Sequence, residues 1–237
     1  MPVTAPHSCG TGPAEVNHPD ARPGRPIFPE DPSDPAGTPS DLAGTPSDLA
    51  GLPPDPVLGA VVARLRPARL GPTRLILIDG PAGSGKTTLA ATLSAALGHA
   101  QVVHMDDLYP GWSGLSAGVG RLHDEVLRPL ADHRPAAYRR YDWPTGTLAE
   151  SHPVPAADHL VVEGCGAGSR LPSTWASLLI WVETDDAERL ARGLARDGDD
   201  ARPLWLRWMA EERALYAAED TRARADLHLD GHGRMVP

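Results

Sequence analysis

The chain has 237 residues and a formal charge of −9, and its acids and prolines are unevenly spread: the first 56 residues hold fourteen of the 26 prolines and eight acids against two arginines. The other 181 residues carry 23 acids against 20 cationic residues, which argues against a nucleic-acid partner, because neutralising many phosphates takes a clustered basic excess. Two distant cysteines, Cys9 and Cys165, exclude a disulfide framework and a four-cysteine metal site.

Residues 1–56 contain a tandem repeat, Ala36–Leu42 followed by Ala43–Leu49. Each copy has a glycine, a proline and one large apolar side chain, so no continuous seam can form despite the period of seven. The expectation is a disordered acidic tail over 1–56 and one folded domain over 57–237. No basic patch followed by an apolar stretch opens the chain, and no segment approaches the ~20 apolar residues that cross a bilayer, so a cytoplasmic protein without a membrane partner is expected.

Val57, Leu58, Val61, Val62 and Leu65 recur at helical spacing and predict a short helix leading into the domain. Short apolar runs follow at Leu75–Ile78, Val102–Met105, Leu160–Val162 and Leu178–Val182, separated by segments with helical periodicity. Strands read as continuous apolar runs when helices cover both faces of a parallel sheet. A fifth run, Ala225–Leu229, alternates with polar residues as an edge strand does. The predicted fold is therefore α/β, a doubly wound and mostly parallel five-stranded sheet.

The first of these strands runs into Gly80-Pro81-Ala82-Gly83-Ser84-Gly85-Lys86-Thr87-Thr88, which satisfies GxxxxGK(S/T) and continues as a helical pattern. Glycines allow the backbone to curl so that its N–H groups and a helix amino terminus face phosphate oxygens, the lysine reaches the β/γ-phosphates, and the threonine hydroxyl holds Mg²⁺. Lys86 is the only lysine beside 21 arginines. A compact ammonium on a flexible stem suits a tight phosphate cradle where a guanidinium does not. With no second lysine the chain also lacks an asparagine–lysine–x–aspartate guanine motif, and it has no transport-ATPase signature. A small-molecule kinase or a nucleotide-dependent switch remains.

Ligands of open α/β sheets sit beyond the carboxyl ends of the strands, so acids there carry most weight. Asp106 and Asp107 follow the second apolar run and Glu163 follows the third. Phosphoryl transfer to a hydroxyl needs a carboxylate to orient the alcohol and take its proton, and groups that neutralise the γ-phosphate through Mg²⁺. Asp106 suits the first role and Glu163 the second, with Asp107 a rival base that spacing alone does not separate. Arg189, Arg192 and Arg196 share a helix face and suit a lid that clamps phosphoryl oxygens. Asp197–Asp200 reads as a flexible turn before a helix from about Pro203, on which Trp205 and Trp208 are expected to be core. The stretch Tyr138–Gly146, with Tyr141, Asp142 and Trp143, reads as a loop suited to an acceptor pocket. The ten histidines show no zinc-ligand spacing, so no zinc is expected.

The order of phosphate loop, Asp106-Asp-Leu-Tyr109, Tyr141-Asp-Trp143, Val162-Glu-Gly164 and Arg192 with Arg196-Asp197 resembles the uridine kinase-like family of phosphate-loop kinases, which includes pantothenate kinase and phosphoribulokinase. The resemblance covers about Leu75 to Asp230. It implies Asp106 as catalytic base with Tyr109 beside it, Glu163 as an aid to Mg²⁺, Arg192 and Arg196 as lid arginines, and Tyr141 with Asp142 beside the acceptor. Two departures stand out: the acceptor motif continues Pro144-Thr-Gly where uridine kinases carry a histidine and an arginine, and no arginine–glycine follows Asp197. The expected activity is ATP- and Mg²⁺-dependent transfer of the γ-phosphoryl group to an alcohol of a nucleoside-like or other small metabolite. An ATP-binding regulatory protein stays open as an alternative, as does a nucleoside monophosphate kinase using Arg139 and Arg140.

Overall fold

The computed structural model describes residues 56–236. The acidic repeat segment expected to be a tail lies outside the described residues, apart from Pro56, which begins the first helix, α1 (Pro56–Arg64). A five-stranded parallel sheet forms the centre, built from β1 (Arg74–Asp79), β2 (Gln101–His104), β5 (His159–Glu163), β6 (Ala176–Glu183) and β7 (Leu227–Asp230) in the order β2-β5-β1-β6-β7. A separate antiparallel hairpin joins β3 (Ala136–Asp142) to β4 (Thr147–Val154).

Alternation along the central strands divides the core in two. Leu75 and Leu77 of β1 face one layer with Leu160, Val162 and Leu179, whereas Ile76 and Ile78 face the other with Val161, Leu178 and Ile180. Helices α1 and α2 (Lys86–Ala96) cover the second layer. The first is covered by α3 (Leu115–Arg121), which continues through a π-helical segment, Leu122–Leu127, into α4 (Arg128–Ala131), and by α7 (Arg202–Glu219) through Trp208. Burial on both faces is why the runs of β1, β5 and β6 are visible as strands, while β2 and β7 at the two sheet edges are only partly buried. Strand β7 begins two residues later than its apolar run and lies at the sheet edge, as expected.

The expectation of a loop over Tyr138–Gly146 is corrected. These residues form most of β3 and the turn of the hairpin, with Ala136 and Tyr138 buried and Ala137 and Arg139 exposed. Its period-2 pattern rests on one alanine and one tyrosine, and Pro144 and Gly146 in the turn mask the strand signal. Asp197–Asp200 is a turn before a helix, as expected. Helix α6 (Asp186–Asp197) passes through a 3₁₀ turn, Asp199–Ala201, directly into α7, and the Asp197 carboxylate accepts the Trp205 indole N–H at 2.9 Å.

Candidate active site

The phosphate loop leaves the central strand through Gly80, whose φ of +143° is closed to side chains. A Cβ there would lie 1.9 Å from the Val182 carbonyl oxygen, so the loop packs directly on β6. Gly85 caps α2 in the left-handed region without any side-chain hydrogen bond, so the helix amino terminus presents free backbone donors. Lys86 is buried, and its ammonium donates to the carbonyls of Gly80 and Pro81 at 2.8 Å each. Burial pulls its pKa down, but Cys165, Glu163, Glu212 and Asp79 around it hold the ammonium above its ordinary range.

Two buried carboxylates that sequence reasoning passed over brace this loop. Asp79, the last residue of β1, accepts from the backbone N–H groups of Gly80 at 2.6 Å, Gly166 at 2.9 Å and Gly168 at 2.7 Å, and from the Tyr216 hydroxyl at 2.9 Å. Burial raises its pKa despite these donors. Glu212 of α7 accepts the Ala82 N–H at 2.8 Å and pairs with Arg189 at 2.9 Å, both side chains being almost fully buried. Arg189 therefore belongs to a structural ion pair linking α6, α7 and the loop, while Arg192 and Arg196 line the cavity. Signals for both acids were present. Asp79 ends a strand, and Glu212 continues the buried stripe of Trp205 and Trp208 at helical spacing.

A cavity of ≈ 390 Å³ opens over the loop. Gly83, Lys86, Thr87 and Thr88 line it on the side of the loop. Ser84 is buried in the bend of the loop and Gly80 beneath it, so these two shape the cradle rather than line the cavity. The Thr87 hydroxyl donates to the Glu163 carboxylate at 3.0 Å, so a hydroxyl and a carboxylate oxygen meet beside Lys86. Mg²⁺ takes one or two protein oxygens and completes its octahedron with water and phosphate, which fits this donor pair. His104, on β2 beside β5, holds the same Glu163 oxygen at 2.7 Å. Burial lowers the His104 pKa, but its hydrogen bond and proximity to Glu163 leave it raised.

Asp106 and Asp107, adjacent in a 3₁₀ turn after β2, face different surroundings. Asp106 lines the cavity, and burial, reinforced by Glu163, pushes its carboxyl up to about 6. Asp107 does not line it and accepts the Tyr138 hydroxyl at 3.2 Å. Tyr109 is fully buried with its hydroxyl donated to the Cys165 carbonyl at 2.6 Å, and both residues line the cavity. Trp143 also lines it, with its indole N–H donated to the Asp106 carbonyl at 3.0 Å. Tyr141 and Asp142 do not. Tyr141 stands edge-on to Trp143 at 5.5 Å, and Asp142 accepts the Thr145 hydroxyl at 2.6 Å. Trp205 and Trp208 are core, as expected, yet both also line the cavity, together with Trp112.

On α6, Arg192 donates to the Gly83 carbonyl at 3.1 Å and pairs with Glu188. Arg196 pairs with Asp197 at 2.8 Å and lies 5.7 Å from the Trp205 ring centroid. Arg139 donates to the carbonyls of Leu148 and Ala149, Arg140 pairs with Glu150, and neither lines the cavity. Among the described residues no group of three or more His, Cys, Asp or Glu side chains is placed to hold a metal ion, and no helix is long and apolar enough to cross a membrane.

A phosphate loop at the end of the central strand of a parallel sheet, carboxylates beyond the neighbouring strands and two helices, α6 and α7, lining the cavity define a phosphate-loop kinase fold. The AAA domain family pattern matches residues 76–215, and the chain belongs to that family. It is 32% identical over 170 residues to the cytidylate kinase of Stutzerimonas stutzeri (strain A1501), covering 65% of this chain and 72% of that protein. Two solved structures share the fold. One is a "putative fructose transport system kinase" from Silicibacter sp. TM1040, with a TM-score of 0.57 and 24% identity over 73% of this chain and 97% of that one. The other is a "possible uridine kinase" from Bacillus stearothermophilus, with a TM-score of 0.50 and 22% identity over 67% and 89%.

Proposed function

We propose that the protein transfers the γ-phosphoryl group of ATP to a hydroxyl of a small molecule, with Asp106 as the base. The observation that carries this is the separation of the two neighbouring aspartates: Asp106 faces the cavity near Lys86 and Glu163, and Asp107 is engaged by Tyr138. A base with a pKa near the working pH combines the ionised form with useful driving force for proton transfer. The acceptor oxygen bonds to the γ-phosphorus while the bond to the oxygen bridging to the β-phosphate breaks, the hydroxyl proton passes to the Asp106 carboxylate, and ADP departs. Lys86 and the loop amides hold the β/γ-phosphates, Arg192 and Arg196 clamp the γ-phosphate, and Thr87 and Glu163 hold Mg²⁺. The metal, when bound, supplies charge neutralisation on the phosphates.

Likeness to a cytidylate kinase favours a second reading, in which the acceptor is a nucleoside monophosphate. Binding a second phosphate calls for guanidinium groups on the acceptor side. Arg139 and Arg140 are engaged with backbone carbonyls and Glu150, away from the cavity, which favours the alcohol. ADP release measured with sugars, nucleosides, other alcohols and CMP against a water-only background tests the two. Stimulation by an alcohol is the expected result. CMP as the best acceptor would establish the second reading, and stimulation by none would leave an ATP-binding regulatory protein.

A further inference from the structure

The wall of the cavity beyond Asp106 is aromatic. Trp112 sits at its centre, with ring centroids 5.6 Å from Trp143, 6.1 Å from Trp205 and 6.2 Å from Trp208, all in edge-to-face contact. Tyr109 stands edge-on to Trp208 at 4.9 Å. All five rings line the cavity.

Three of the polar handles on these rings are already committed. The Trp143 N–H goes to the Asp106 carbonyl, the Trp205 N–H to Asp197 and the Tyr109 hydroxyl to the Cys165 carbonyl. Trp208 differs: its ring is almost fully buried and its indole N–H has no partner. That N–H is itself closed off, so Trp208 offers the cavity only apolar ring surface. The charged groups on this side are Asp106, which takes the hydroxyl, and the mutually paired Arg196 and Asp197.

We infer that the acceptor is an uncharged alcohol whose body is a flat, largely apolar ring. The inference rests on the kinase reading above and narrows it. Ring faces stack and shed water against tryptophan edges, whereas a polyhydroxylated sugar would leave several hydroxyls desolvated without partners. A phosphorylated acceptor would meet no unpaired cation beyond those that serve the γ-phosphate.

The test compares aryl-substituted alcohols such as 3-phenylpropanol and 2-naphthylethanol with hexoses, gluconate, uridine, cytidine and CMP. ADP release measures turnover, and calorimetry with a non-hydrolysable ATP analogue and Mg²⁺ measures acceptor binding. The aryl alcohols are expected to exceed the others in kcat/KM by about a hundredfold. Trp112→Ala raises their KM about tenfold and leaves the KM of MgATP within about twofold, while Trp112→Phe restores most of the loss and guards against a folding defect. Preference for a sugar, a nucleoside or CMP overturns the inference and leaves a kinase standing. If no acceptor is turned over, aryl-alcohol binding that Trp112→Ala abolishes supports the ring site while the kinase reading fails. Absence of both turnover and aryl-alcohol binding overturns the two together.

Discussion

Around Lys86 the cavity is made of backbone: carbonyls and amides of the phosphate loop, fixed from beneath by Asp79 and from the side by Glu212. Around Asp106 it is made of side-chain rings delivered by separate elements, with Trp112 before α3, Trp143 in the hairpin turn, and Trp205 and Trp208 on α7. A phosphate tail is the same in every nucleoside triphosphate, so a rigid backbone cradle serves it. An acceptor differs from one kinase to the next, and side chains can change without disturbing the sheet. The phosphate-loop half is thus a property of the fold, and the aromatic half a property of this chain.

Substitutions in each half should separate them. Asp106→Asn is expected to have the largest effect, lowering acceptor kcat/KM by about a thousandfold, while calorimetry shows MgATP affinity little changed. The same variant should melt higher than the parent at pH 7.5. The carboxyl is pushed up from 3.8 to about 6 on folding, so its contribution to stability is present below the lower value and is lost as pH rises through the upper one. Near pH 4 the two melting temperatures should converge. Lys86→Met comes next, costing about a hundredfold or more in kcat and, unlike Asp106→Asn, weakening MgATP in calorimetry.

Glu212→Ala probes the join between the halves. It leaves the buried Arg189 paired only with the exposed Asp186 at 2.9 Å, and urea unfolding should register a loss towards the lower end of about 3–5 kcal/mol. Glu212→Gln keeps an acceptor for the Ala82 N–H and should lose less. The smallest effect is expected at Asp142, whose carboxylate accepts from Thr145 in its own turn and meets Arg140, two residues back, at 3.5 Å. Asp142→Ala should change acceptor kcat/KM by less than about twofold and stability by no more than about 0.5 kcal/mol. A large loss of acceptor turnover in this variant would bring the hairpin into the acceptor site.

What could be read from the sequence follows the same division. The phosphate loop is a contiguous motif in a strand–loop–helix setting, and the buried strands announce themselves as apolar runs, so the sheet and Lys86 with Thr87 were legible. Asp79 and Glu212 were legible in principle, from the carboxyl end of a strand and from a glutamate in a helix's buried stripe. Asp106 could not be told from Asp107 by spacing, because adjacent residues in a turn point in different directions that only tertiary contacts fix. The aromatic wall was out of reach for a related reason. Its tryptophans span nearly a hundred positions, and a tryptophan on a helix reads as core whether it also faces a cavity or not. Tyr141 and Asp142 show the converse, since they share a motif with Trp143 but not its place on the wall.

The most direct test of the central claim is the pH dependence of kcat/KM for the best acceptor, in the parent protein and in Asp106→Asn. If Asp106 takes the acceptor proton it must be ionised, so the parent's rate should fall as pH drops through about 6, the value to which burial pushes this carboxyl. The residual rate of the asparagine variant should lack that limb. An acid limb near 6 that persists in the variant, or a parent profile flat from pH 5 to 8, would contradict the assignment.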